Sequence, residues 1–251
     1  MEIESFDGTR LQVAEMGSGP PVLLLHGLFS SAEVNWIRYG TARRIAEAGY
    51  RLILPDLRGH GRSEAPDDPA RWPMDVLALD AEHLVRALDL GPDLVVGGYS
   101  LGARTTARLL ARGLRPRAAI LAGMGLEGLT DGTRRAAWFI RMIEGRGGWE
   151  KGSGEYVAER FMTANVALPD CMIHLLKAQA DTPADELAAL DLPVLVVAGA
   201  EDRDNGSATN LARLLPRGRY AEIPGTHMGS VTRPELADAI LAFLAEIGAA
   251  R

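Results

Sequence analysis

With 251 residues, 47% apolar and 24% charged, the chain can bury one full hydrophobic core, or one core with an insertion, but not two equal domains. Its net charge of -6, with no basic block, argues against an electrostatic hold on nucleic acid or anionic lipid. The expected partner is therefore a small molecule, with neither nucleic acid nor membrane involved. Cys171 is the only cysteine, which excludes an internal disulfide and a thiolate-rich metal site. The acidic start Met1-Glu2-Ile3-Glu4 is unlike a signal peptide, and no apolar run approaches 18 residues, so a cytoplasmic protein is expected.

Taken in order, apolar and polar residues alternate through Ile3, Phe6, Leu11 and Val13 around Asp7-Gly8, which predicts an edge hairpin. The continuous apolar run Val22-Leu23-Leu24-Leu25 predicts a strand buried on both faces, followed at once by His26-Gly27-Leu28. A helix over 36–48, closed by Gly49, leads to the next strand, Leu52-Ile53-Leu54-Pro55, completing one strand-helix-strand unit. The glycine-rich loop Asp56-Leu57-Arg58-Gly59-His60-Gly61-Arg62-Ser63 and a helix over 73–90 come next. The strand Leu94-Val95-Val96 then feeds Gly98-Tyr99-Ser100-Leu101-Gly102 and a helix over 103–111. This alternation, continued by Ala118-Ala119-Ile120-Leu121-Ala122, predicts an α/β fold with a mostly parallel, doubly wound sheet.

Over 125–190 the alternation stops. Helical segments are expected over 134–144, 155–163, 170–179 and 183–190, jointed by Gly145-Arg146-Gly147-Gly148 and Gly152-Ser153-Gly154. Such a block between two sheet strands reads as a helical cap, 125–190, inserted into a core domain of 1–124 and 191–251. The sheet resumes at Pro193-Val194-Leu195-Val196-Val197-Ala198, with a helix over 208–215 and a last strand over 219–223. A closing helix over 232–247 is expected to start with a capping box, Thr232 to Glu235.

Ligands of open α/β sheets bind beyond the carboxyl ends of the strands. Here those ends carry His26-Gly27-Leu28, Ser100, Glu201-Asp202-Arg203-Asp204 and Thr226-His227-Met228. A serine hydroxyl becomes a nucleophile when a histidine accepts its proton and a carboxylate holds that imidazole in the right tautomer. The small residues flanking Ser100 suit a sharp strand-to-helix turn that lifts its Oγ above the sheet. The first N–H groups of the following helix, beginning with Leu101, lack internal partners and suit a developing oxyanion.

In these motifs the chain resembles the α/β-hydrolase superfamily, specifically its small capped branch of serine esterases and enol-lactonase-like proteins. The matching parts run in the family's order: Leu25-His26-Gly27-Leu28, Asp56 to Ser63, Gly98 to Gly102, Gly199-Ala200-Glu201-Asp202 and Ile223-Pro224-Gly225-Thr226-His227. The resemblance implies an α/β-hydrolase fold with Ser100 as nucleophile, His227 as general base and acid, and Asp202 as orienting acid. It also implies an oxyanion hole built from the backbone N–H groups of Leu28 and Leu101. The implied activity is cofactor-independent cleavage of a carboxylic ester or lactone through an acyl-serine intermediate. Carbon–carbon bond hydrolysis or lysis on the same scaffold, or a slow-turnover ligand receptor, are the alternatives.

Asp204 and Glu127 remain alternative acids, and His174 lies within an expected helix, where a polar surface or core role is the plain reading. Gly123-Met124-Gly125-Leu126-Glu127-Gly128 satisfies a dinucleotide fingerprint but lacks the strand that should follow within about 30 residues, so no nucleotide cofactor is expected. No metal-ligand motif occurs, and no metal is expected. Trp36, Trp138, Phe139, Met142, Phe161 and Met162 are candidate walls of an apolar substrate pocket, with plain core packing as the alternative for each. Arg104 and Arg38 are candidate carboxylate partners, with surface solvation as the alternative.

Overall fold

A computed structural model of the protein describes residues 1–248; residues 249–251, the end of the expected core segment, lie outside the described residues. One eight-stranded sheet is built from β1 (Glu2–Glu4), β2 (Arg10–Met16), β3 (Pro21–Leu25), β4 (Arg51–Pro55), β5 (Val95–Tyr99), β6 (Ala118–Ala122), β7 (Val194–Gly199) and β8 (Gly218–Ile223). The strand order is β1-β2-β4-β3-β5-β6-β7-β8. The expected hairpin pairs Ile3 with Leu11 in antiparallel register, β2 runs antiparallel to β4, and the remaining pairs are parallel.

Ten α-helices accompany the sheet among the described residues: α1 (Thr41–Glu47), α2 (Val76–Ala87), α3 (Leu101–Ala111), α4 (Leu126–Thr130), α5 (Thr133–Glu144), α6 (Gly154–Asn165), α7 (Cys171–Lys177), α8 (Ala184–Ala188), α9 (Ala208–Leu214) and α10 (Pro234–Glu246). Because side chains alternate along a strand, the central strands are buried on both faces. Leu23, Leu25, Ile53 and Val96 pack with α2, α3 and α9, whereas Val22, Leu24, Leu52 and Val95 pack with α1 and α10. This is why β3 reads as a continuous apolar run. Between β6 and β7 the described elements are α4 to α8 alone, with α5 packed on α6 and α7.

Local details depart from the sequence expectations for identifiable reasons. The helix expected over 36–48 is split into a π-helical turn, Glu33–Ile37, and α1, because Gly40 takes a left-handed backbone with φ of 85°. Helix α4 has only five residues, too few for a visible period. The expected capping box at Thr232 does not form. Pro234 opens α10 instead, Arg233 precedes it without a side-chain cap, and Thr232 Oγ1 donates to the Gly229 carbonyl at 2.8 Å.

The loop after β4 is fixed by a buried ion network. The fully buried Arg58 guanidinium donates to Asp80 Oδ2 at 2.9 Å and Oδ1 at 2.7 Å, and to Asp7 Oδ2 at 2.7 Å and Oδ1 at 2.9 Å. Ser5 Oγ donates to Asp80 Oδ1 at 2.5 Å, so the edge hairpin, α2 and this loop share one cluster. Burial alone would raise the Asp7 pKa, but the Arg58 and Thr9 hydrogen bonds more than reverse that and hold its carboxyl well below the usual range.

Candidate active site

Beyond β5 the chain turns sharply at Ser100, whose φ of 51° and ψ of -107° lie outside the ordinary regions for a residue with a side chain. Holding such a backbone costs about 1–3 kcal/mol, and the surroundings must enforce it. They do so through two hydrogen bonds: Ser100 N–H donates to the Ala122 carbonyl at 2.8 Å, and the Ser100 carbonyl accepts Arg104 N–H at 2.9 Å. The flanking glycines are required by close approach. A Cβ on Gly98 would run into the Gly102 backbone, and one on Gly102 into the Leu25 and His26 carbonyls. Helix α3 thus lies directly against β3 and β5, leaving Ser100 half-buried at the carboxyl edge of the sheet.

The loops after β7 and β8 bring two more side chains to this serine. His227 Nε2 lies 3.1 Å from Ser100 Oγ, and His227 Nδ1 lies 2.8 Å from Asp202 Oδ2. His227 is 7% exposed, so this path is largely shielded from water. Burial works against the Asp202 carboxylate, yet the His227 hydrogen bond and charge, with the Asp204 N–H donated to Asp202 Oδ1 at 3.0 Å, hold its pKa below the usual value. The other candidate acids are engaged elsewhere. Glu127 Oε2 accepts Ser207 N–H at 2.6 Å, and Asp204 Oδ2 accepts from Arg135 at 3.1 Å.

Tyr99 is a positioning residue that sequence reasoning missed. Its buried hydroxyl donates to the His227 carbonyl at 2.6 Å and meets Ser230 Oγ at 2.9 Å, tying the histidine loop to the strand that carries the serine. The only signal was a large aromatic residue beside the serine in the elbow.

The loop after β3 approaches from the opposite side. Gly27 N–H donates to Asn35 Oδ1 at 2.9 Å, while the Gly27 carbonyl accepts from His26 Nδ1 at 2.8 Å and Ser30 N–H at 3.2 Å. Gly27 is therefore held through both its N–H and its carbonyl. The N–H groups of Leu28 and Leu101 have no backbone or side-chain acceptor among the described residues, Leu101 because it is the first residue of α3. Phe29, next to Leu28, has a left-handed backbone with φ of 59° and is 2% exposed.

The remaining sequence candidates scatter. Trp36 is fully buried on the far face of the sheet, among Val22, Leu24 and Ile45, because the π-helical turn points it toward α1 and α10. Met142 and Met162 are fully buried in the core beneath the helical block. Phe139 is half-buried and meets Phe29 edge-on, with ring centroids 5.4 Å apart; Trp138 stands edge-on to it at 4.9 Å. Phe161 is half-buried against the same core.

Arg104 is buried, pairs with Asp181 at 2.9 Å and donates to the Gly128 carbonyl, so it anchors α3 to the helical block. Arg38 is exposed, with Glu33 at 3.9 Å. His174 stacks on Trp72, the ring centroids 6.4 Å apart. Gly123 to Gly128 leads only into the five-residue α4, with no strand before β7. Among the described residues, no group of three or more His, Cys, Asp or Glu side chains is placed to hold a metal ion. Likewise, no helix among them is long and apolar enough to cross a membrane.

Two further histidines make the site sensitive to acid through folding. His26 Nε2 accepts Leu57 N–H at 2.9 Å, and His60 Nδ1 meets the Arg58 carbonyl at 3.0 Å, the two rings lying 5.1 Å apart. Burial pushes His26 down to about 4, and burial together with the neighbouring His26 pushes His60 down to about 3. Below the ordinary value of 6.5 the unfolded chain takes up protons that the folded chain refuses. Stability is therefore full above pH 6.5 and falls toward pH 3, with a slope of at most about 2.7 kcal/mol per pH unit from two protons. Urea midpoints measured from pH 7.5 to 4.5 are expected to fall, and to fall less steeply in His60→Gln. Parallel curves for the two proteins would show that His60 does not stay neutral.

A family model described as the alpha/beta hydrolase fold matches residues 20–139. Among curated proteins, an epoxide hydrolase of Caballeronia sordidicola is 42% identical over 91 residues, which are 36% of this chain and 27% of that protein. The chain thus aligns with little more than a quarter of that relative's length. A non-heme haloperoxidase of Rhodococcus erythropolis is 27% identical over 262 residues, covering 92% of this chain and 93% of that protein. A thermophilic esterase from Thermogutta terrifontis superposes with a TM-score of 0.74 at 24% identity, covering 98% of both chains, a likeness of fold. The strained serine elbow, the strand order around it and the match over residues 20–139 show that the chain has the α/β-hydrolase fold.

Proposed function

We propose that the chain is a serine hydrolase of the small capped branch, cleaving a carboxylic ester or lactone through an acyl-serine intermediate. The observation that carries this reading is His227 standing between Ser100 Oγ, at 3.1 Å, and Asp202, at 2.8 Å. Carboxylate attack on an epoxide would need an aspartate at the apex of the elbow, and position 100 is serine.

In the proposed cycle Ser100 Oγ attacks the substrate carbonyl as His227 Nε2 takes the hydroxyl proton. The new oxyanion is received by the Leu28 and Leu101 N–H groups, each such donor being worth about 2.7–4 kcal/mol in the transition state. His227 then gives its proton to the departing alkoxide, which leaves as an alcohol or stays attached as the opened ring of a lactone. A water deprotonated by the same nitrogen attacks the acyl-serine, and Ser100 recovers its proton as the acid leaves. Asp202 stays ionised throughout and balances the imidazolium.

Residues 125–190 act as the cap, inserted into the core domain of 1–124 and 191–251. Its half-buried Trp138, Phe139 and Phe161 favour an uncharged, fairly apolar small molecule as substrate. The test is a panel of short-chain aryl esters and lactones, with a fluorophosphonate probe in parallel. Turnover of at least one class and a single adduct on Ser100 are expected. A chain that turns over neither and takes no adduct would overturn the proposal.

A further inference from the structure

One cap helix touches both halves of the site. Arg135, in the first turns of α5, donates from Nη1 to the Asp204 carbonyl at 2.9 Å and from Nη2 to Asp204 Oδ2 at 3.1 Å. Asp204 in turn gives its N–H to Asp202 Oδ1 at 3.0 Å, on the carboxylate whose other oxygen meets His227. One turn further along α5, Phe139 lies under the Arg135 guanidinium, 5.2 Å from its ring centroid, and presses edge-on against Phe29 at 5.4 Å. Phe29 follows Leu28 directly, so the same turn of helix backs the loop that carries the Leu28 N–H.

From this chain of contacts we infer that Arg135 is a positioning residue: by gripping Asp204 from the cap, it fixes the Asp202 carboxylate and couples cap closure to assembly of the reactive site. Helix α5 reaches the acid loop through Arg135 and the oxyanion loop through Phe139, so its displacement would loosen both together. Substrate entry under the cap then leaves the serine poorly activated, and closure over substrate restores it. This also gives Asp204 a role. Two residues from Asp202 and equally acidic, it serves as the handle by which the cap holds the loop.

The inference rests on the serine-hydrolase reading, and the test keeps the two apart. The rate of Ser100 phosphonylation by a small fluorophosphonate is measured for the full chain, Arg135→Ala, Arg135→Lys, Asp204→Ala and the Arg135→Ala/Asp204→Ala double variant. Melting temperatures serve as a folding control. No labelling of the unaltered chain would defeat the serine-hydrolase reading itself. Given labelling, Arg135→Ala and Asp204→Ala are each expected to slow it by about two- to thirtyfold, the span found for residues that transmit coupling. The double variant is expected to be no slower than the worse single one, because both remove one contact. Arg135→Lys, which keeps one donor toward Asp204, is expected to recover part of the rate. With an ester substrate, the Arg135→Ala loss is expected in kcat with little change in KM. Unchanged labelling in Arg135→Ala, or multiplicative losses in the double variant, would overturn the inference.

Discussion

Ser100→Ala is expected to lower kcat by about 10⁴–10⁶-fold while leaving the fold intact. In the proposed cycle the loss is large because the imidazole activates the hydroxyl 3.1 Å from His227 Nε2, and an alanine methyl has no proton to give. The fold survives because the strained turn is held through the main chain, by Ser100 N–H to the Ala122 carbonyl and Arg104 N–H to the Ser100 carbonyl. Neither bond uses the side chain. Alanine meets the same strain at a φ of 51° as serine does, so the two folded states differ little in backbone energy. KM is expected to stay within a few-fold, since substrate binding does not depend on the transferred proton. Residual turnover of about 10³–10⁴ over water is expected from the Leu28 and Leu101 donors, which the substitution leaves in place. Steady-state kinetics and a thermal melt on the same preparation check both halves. A folded Ser100→Ala protein that keeps more than a few per cent of kcat would place the nucleophile elsewhere.

The elbow was legible in the sequence because local sterics demand it: the crossing of α3 over β3 and β5 admits no side chain at Gly98 or Gly102, and the serine between them stands at a strand end. Asp202 and His227 were legible by position, each just after a strand and in an order the resemblance supplied. The sheet was legible because strands buried on both faces leave unbroken apolar runs such as Val22-Leu23-Leu24-Leu25. Contacts between distant segments left no local trace. Nothing near Arg135 in the chain points to Asp204, and nothing near Tyr99 points to the His227 carbonyl, 128 residues away. Trp36 illustrates the opposite failure. As a large apolar residue it was a candidate pocket wall with core packing as the alternative, but the π-helical turn around it decides which face of the sheet it covers, and apolar spacing does not encode such a turn. The Thr232-to-Glu235 pattern fits a capping box, yet Pro234 fixes the start of α10 two residues later.

Asp202→Asn is expected to cost about 10⁴-fold in kcat, and the contrast with its neighbours makes it the decisive test of the acid. An ionised Asp202 accepts a hydrogen bond from His227 Nδ1–H, so the ring proton sits on Nδ1 and Nε2 is left bare and able to take the Ser100 proton. An asparagine that turns its amide toward Nδ1 donates instead, which favours the tautomer with its proton on Nε2, where it faces Ser100 and blocks the transfer. Shape and volume barely change, so the melting temperature should shift by no more than a few degrees. Asp204→Asn keeps the backbone N–H that Asp202 Oδ1 accepts and disturbs only the bond to Arg135, so its loss should stay within about thirtyfold. Glu127→Gln touches the start of α9 through Ser207 N–H and should leave kcat within a few-fold. The electrostatics add a pH signature. Because His227 and the Asp204 N–H hold the Asp202 pKa below its ordinary 3.8, this carboxylate stays charged between pH 5 and 8, and its protonation does not limit activity there. Across that range the Asp202→Asn deficit should therefore be constant. A deficit that vanished at pH 5, or a larger loss in Asp204→Asn than in Asp202→Asn, would move the orienting role away from Asp202.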